Sequence, residues 1–148
     1  MFWENKKVLV TGGGGFIGTN LVKRLIEKGS IVRVVDNFER GKRKNLANLN
    51  NSIEILNGDL RIKDVCFEVC EGVDMIFHLA SKVGGIGYYL QCPADVIMEN
   101  LTIDIQMLEA ARKLNITQYL YASSAYVYPL ERMQDPYSPP LSEEEAIP

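Results

Sequence analysis

The stretch KKVLVTGGGGFIGTNLVKRLIEKG, residues 6–29, decides how this chain is read. Residues 7–11 (KVLVT) are a short apolar run with β-branched side chains, stopped by glycine, the pattern of a buried strand. From Phe16 to Lys28, apolar residues Ile17, Leu21, Leu25 and Ile26 recur at helical spacing, and Gly29 ends the run. Four consecutive glycines, Gly12 to Gly15, join the two. A phosphate needs backbone N–H donors at close range and no side chain in the way. A glycine-rich turn entering a helix supplies both, because the helix N-terminus adds unpaired N–H groups and a positive dipole end. The spacing here is Gly12-x-x-Gly15-x-x-Gly18. It differs by one residue from the dinucleotide pattern G-x-G-x-x-G, and with a strand before it and a helix after it points to a dinucleotide site.

That reading calls for an acid at the end of the next strand. Residues 31–36 (IVRVVD) form that strand and end on Asp36. A carboxylate there accepts both ribose hydroxyls of NAD and repels a 2′-phosphate, which favours NAD over NADP. Arg40, Lys42 and Arg43 follow closely, and either welcome such a phosphate or lie as solvated surface charge. Asp59, in NGDL, either accepts from the adenine amino group or simply shapes a turn.

Further along, strand and helix patterns keep alternating. Residues 41–51 read as a short polar helix with loop, 52–59 as a third strand, 61–71 as a helix closed by Gly72, and 74–81 as a fourth strand. A glycine-bearing loop, KVGGIGYYLQC, precedes Pro93, which suits the first turn of a helix running to about Leu114. On that helix Ile97, Leu101, Ile105 and Leu108 mark one face, and Val96, Ile103, Met107 and Leu114 another. A helix apolar on two sides is expected to pack on the sheet and on a second body. Residues 117–124 (TQYLYASS) are a fifth strand. Residues 129–148 are rich in proline and acid and read as an extended tail without a helix of its own. Residues 1–128 are thus expected to be one α/β domain, a doubly wound, Rossmann-type parallel sheet of order 3-2-1-4-5.

Composition sets outer limits. The 148 residues suffice for one domain with a real core. A net charge of −3 gives no electrostatic case for nucleic acid or an anionic membrane surface. No apolar run approaches the roughly 20 residues of a membrane span. The opening MFWENKKVLV lacks signal-peptide architecture, so the expected compartment is the cytoplasm. Cys66, Cys70 and Cys92 match no metal spacing, and buried thiols in a reducing compartment are the expectation.

TGGGGFIG, VVDNF, GDLR, FHLAS, ENLTIDIQMLEAAR and YASSAYVYP occur in an order and spacing that resemble the extended short-chain dehydrogenase/reductases, the NAD-dependent sugar-nucleotide epimerases and dehydratases. The loop SKVGGIGYY and the ending YVYP look most like GDP-mannose 3,5-epimerases and GDP-fucose synthases within that family. The resemblance implies that Gly12, Gly15, Phe16, Ile17 and Gly18 cradle the pyrophosphate. It implies that Asp36 with Asn37 holds the adenosine ribose, and that Asp59 and Leu60 line the adenine. Leu79, Ala80 and Ser81 would flank the cofactor, and Asn100 would steady the active-site backbone. Ser124 would be the catalytic hydroxyl, with Ser123 as the alternative residue pointing into the site. His78 matches a strand-end histidine without proton-transfer duty. Lys82 either reaches a sugar diphosphate or lies in solvent.

The chain also departs from the family. The expected Tyr-x-x-x-Lys pair is missing, since no tyrosine here has a lysine four residues on. Where the two GDP-sugar groups carry a cysteine two positions after the catalytic serine, this chain has Tyr126. The expected protein is therefore the NAD-binding part of a nucleotide-sugar epimerase or dehydratase, incomplete for turnover alone and self-associating. The alternative is an NAD-binding or interaction module without activity.

Overall fold

The protein is described here by a computed structural model covering residues 2–49, 51–124, 127–134 and 136–146. Five strands, β1 (Lys7–Thr11), β2 (Ile31–Asp36), β3 (Ile53–Asn57), β4 (Met75–His78) and β5 (Gln118–Tyr121), form one sheet. All neighbouring pairs are parallel, and the order is β3-β2-β1-β4-β5. The helices are α1 (Phe16–Glu27), α2 (Lys63–Cys70), α3 (Ile86–Gln91), α4 (Pro93–Lys113) and α5 (Leu130–Gln134). The doubly wound sheet expected from the alternating pattern is the one observed.

Alternation along each strand divides the core into two layers. Val8 and Val10 of β1, Val32 and Val34 of β2 and Phe77 of β4 meet Val22 and Leu25 of α1 and Leu46 of a short 3₁₀ helix. Leu9, Val35 and Ile76 point the other way, onto Cys66, Val69 and Cys70 of α2 and Ile103, Met107, Ala110 and Ala111 of α4. Both α2 cysteines are fully buried and free. Met107 is also fully enclosed, and its truncation to alanine is worth about 2–5 kcal/mol of stability.

Three strands stop short of their expected ends. After His78 the sheet ladder gives way because the Leu79 and Ala80 N–H groups both donate to the Thr11 side-chain hydroxyl, each at 3.0 Å. Those side-chain bonds replace strand pairing and let the chain turn away at the end of β1. The 41–51 segment is a 3₁₀ helix over Arg43–Leu49. The expected glycine-bearing loop contains α3, and the tail contains α5 and a 3₁₀ turn at Glu143–Glu145, which corrects the reading of both as non-helical. Of the two faces expected on α4, Ile103 and Met107 are buried, while Leu114 is exposed at the helix end. Ile97, Leu101, Ile105 and Leu108 are all at least half exposed.

Candidate functional site

At the carboxyl end of β1 the glycines divide the work. Gly12 has φ +67°, and its N–H donates to the Val35 carbonyl at 2.8 Å. This left-handed turn suits glycine, and it brings the chain against the Ala80 backbone. Gly18 lets α1 approach the turn. A Cβ there would lie 2.4 Å from the Gly12 carbonyl oxygen. Gly15, the α1 N-cap, has an ordinary φ of −77°. Among the described residues, the only neighbour of a Cβ at Gly15 is the Gly12 oxygen, at 3.2 Å. Its open side faces a cavity of about 430 Å³, a size suited to a small organic ligand. No side chain among the described residues caps α1, so its first N–H groups remain available to an anion.

Gly12, Gly15, Phe16, Ile17 and Gly18 line this cavity from β1 and α1. Asp36 and Asn37 line it from the end of β2, Asp59 and Leu60 from the end of β3, and Leu79, Ala80 and Ser81 from the end of β4. The Asp36 residue is only 8% exposed. Its Oδ2 accepts the Gly14 N–H at 2.9 Å, and its Oδ1 accepts the Phe38 N–H at 2.8 Å. Asp36 therefore ties the glycine turn to the loop after β2, a role that sequence reasoning had not given it. Gly41 closes on the same carboxylate, where a Cβ would lie 2.6 Å from Oδ2.

Asp59 forms a turn and also faces the cavity. Its Oδ1 accepts both the backbone N–H and the Nε–H of Arg61, each at 2.9 Å. The Arg61 guanidinium holds the Asp59 carboxyl below its ordinary range. Of the basic cluster, Arg40 lines the cavity, whereas the Arg43 guanidinium lies over the Phe38 ring at 5.8 Å. The Lys42 backbone N–H donates to the Gly14 carbonyl at 3.0 Å.

Around the same cavity runs a closed ring of four alternating charges that the sequence did not reveal. Lys82 Nζ lies 2.9 Å from Glu39 and 3.6 Å from Glu99. Arg61 lies 2.7 Å from Glu99 and 3.6 Å from Glu39. These residues follow β2, β3 and β4 and sit on α4, so each contact ties separate segments. The bond to Glu39 stabilises the Lys82 ammonium and raises its pKa. Asn100 does not line the cavity, but it clamps the neighbouring backbone. Its Oδ1 accepts the Ser81 hydroxyl at 2.9 Å and the Lys82 N–H at 2.6 Å, and its Nδ2 donates to the Lys82 carbonyl at 3.1 Å.

Behind the turn, His78 is 1% exposed and sits in a hydrogen-bonded chain. Thr11 Oγ1 already accepts two amides, so its single proton goes to His78 Nδ1, 3.0 Å away. Nε2 then carries the ring proton and donates to Asp104 Oδ1 at 3.0 Å. The Tyr121 hydroxyl donates to Asp104 Oδ2 at 2.8 Å. Burial lowers the His78 pKa despite the opposing pull of Asp104. A neutral imidazole satisfies every partner, which fits a structural role.

The cavity reaches Ala122 but not Ser123 or Ser124, and both serines are exposed. Tyr126 lies outside the described residues. Among the described residues no group of His, Cys, Asp or Glu could hold a metal ion, and no helix is long and apolar enough to cross a membrane.

Comparison with known proteins bears directly on this arrangement. Arabidopsis thaliana GDP-mannose 3,5-epimerase is 35% identical over 150 residues, which cover 99% of this chain and 39% of that protein. The solved epimerase Mth375 of Methanothermobacter thermautotrophicus superposes with a TM-score of 0.85 at 28% identity, covering 98% of this chain and 42% of that one. The UDP-glucose 4-epimerase of Thermus thermophilus, solved as a complex with NAD, gives a TM-score of 0.79 at 27% identity over 95% of this chain and 43% of that one. The chain thus spans about two-fifths of the length of these relatives. The model of the NAD dependent epimerase/dehydratase family matches residues 8–146, taking in the glycine turn, all of β2 to β5 and the whole cavity lining, and the chain belongs to that family.

Proposed function

We propose that residues 1–128 form the NAD-binding domain of a nucleotide-sugar epimerase or dehydratase, with residues 129–148 leading out of it. The observation that carries this reading is the cavity at the end of β1, where Gly15 presents bare backbone and α1 presents uncapped N–H groups beside the Asp36 carboxylate. These groups fit a dinucleotide. Gly15 and the first turn of α1 would bind the pyrophosphate, Asp36 and Asn37 the adenosine ribose, and Asp59 and Leu60 the adenine. Leu79, Ala80 and Ser81 would flank the cofactor, with Asn100 fixing their loop. NAD, when bound, supplies the hydride acceptor for oxidation at a sugar carbon. Ser124 would bond the reacting hydroxyl, with Ser123 as its alternative.

The names of the relatives, GDP-mannose 3,5-epimerase and UDP-glucose 4-epimerase, support a nucleoside-diphosphate sugar as the substrate class. Because no tyrosine is followed four residues later by lysine, this chain alone is expected to bind NAD without turning over such a sugar. The fully buried free thiols suit a reducing cytoplasm. The exposed face of α4 suits pairing with a second copy of the chain.

The test is calorimetric titration of NAD into the wild type and Gly15→Val. The Gly15 φ of −77° is open to valine, whose Cβ would press on the Gly12 oxygen, 3.2 Å away, so the variant's thermal melt separates a blocked phosphate approach from misfolding. Binding should disappear in the variant while its thermal melt stays cooperative. Equal affinity in the two proteins would overturn the proposal.

A further inference from the structure

The ring Glu39–Lys82–Glu99–Arg61 is not needed to explain the glycine turn, yet all four residues line the same cavity. β2 and β4 flank β1. The contact between Glu39, three residues past β2, and Lys82, four residues past β4, therefore spans the end of β1. Four carboxylates and three cations face the cavity, and the ring commits two of those cations. Lys82 is held by two acids, and Arg61 by Asp59 as well as by both ring acids. Glu39 stands three residues from Asp36, at the end of the groove that the ribose reading assigns to the adenosine.

We propose that Glu39 and Glu99 are specificity-determining residues that exclude a 2′-phosphorylated dinucleotide by keeping Lys82 and Arg61 paired. This rests on the NAD-binding reading of the cavity. A 2′-phosphate adds roughly two negative charges. To meet Lys82 or Arg61 it must break an ion pair and leave a carboxylate facing it, and among the described residues Arg40 is the one lining cation outside the ring. Asp36 lines the cavity at one point, whereas the ring acids hold Lys82 and Arg61 at two others. Neutralising the ring acids frees Lys82 and leaves Arg61 held by Asp59 alone, without removing either cation.

The experiment titrates NAD and NADP separately into wild type, Glu39→Gln, Glu99→Gln and the double variant at low salt. The readout is the ratio of NADP to NAD affinity. Each single variant should raise that ratio about threefold and the double about tenfold, as freed charges near a groove do. The gain should shrink as salt shortens the Debye length. Lys82→Gln, which removes a cation, should not raise the ratio. An unmoved ratio in variants that still bind NAD overturns the ring's role alone. Failure of the wild type to bind either nucleotide overturns the parent reading and this one with it. If the double variant lacks a cooperative melt, the single variants decide. The partly exposed position of Glu39 makes its variant the safer one.

Discussion

At Gly18 an added methyl group would lie 2.4 Å from the Gly12 oxygen and 2.6 Å from the Gly13 Cα, both backbone atoms with little room to give. Gly18→Ala should therefore destabilise the fold by about 1–3 kcal/mol, read as a lower urea midpoint, a larger loss than in Gly15→Val, whose Cβ meets the Gly12 oxygen at 3.2 Å. His78 makes a different prediction. It is the single histidine of the chain, and burial depresses its folded pKa below the ordinary value of 6.5. Between those two values the unfolded chain binds a proton that the folded chain refuses. Stability is then full above about pH 6.5 and falls as the pH drops, by at most about 1.4 kcal/mol per pH unit. Urea midpoints measured from pH 7.5 to 5 should show this slope in the wild type and its loss in His78→Asn. An unchanged slope in the variant would assign it to other groups. The glycines were legible because their spacing is local and set by chemistry, and Asp36 because it ends the strand that follows. The Gly14–Asp36 tether and the charge ring were not, since they join residues far apart in sequence that only the sheet order brings together.

The longest element, α4, is asymmetric in what it buries. Ile103 and Met107 are enclosed, while Ile97, Leu101, Ile105 and Leu108 are exposed by 59%, 50%, 60% and 51%. Such a stripe drives association in water. Sedimentation should show concentration-dependent self-association of the wild type, and Leu101→Asp with Ile105→Asp should shift it to monomer without lowering the melting temperature. Strictly monomeric wild-type protein would contradict this. The two apolar stripes of α4 were visible in the sequence because each repeats over several turns. α3 was not, because it buries no residue, and a helix without a buried face leaves no periodicity to read. The tail offered a better clue. Ser142 and Glu145 form a capping box around the 3₁₀ turn, and that S-x-x-E spacing is written in the chain. Arg132 then pairs with Glu145 and reaches the Ser138 hydroxyl at 3.0 Å, ordering proline-rich residues that composition alone reads as extended.

For the whole molecule, the strand order fixes where a ligand can sit. Winding outward from β1 in both directions opens a crevice at the carboxyl end of the sheet, and the cavity lies there. The order was legible because alternating elements and right-handed crossovers allow few arrangements. The strand ends were less so, since side-chain bonds such as those of Thr11 decide where pairing stops. The same two-layer core encloses Cys66 and Cys70, whose thiol pKa values burial pushes up to about 12, while Cys92 is only half-buried. In a neutral solution of an alkylating reagent, the folded protein offers Cys92 and withholds the other two. Modification of that inner pair would then time the excursions in which α2 lifts from the sheet. Repeating the measurement with nucleotide present would turn any slowing into a binding free energy, so the chain carries a chemical clock for its own opening.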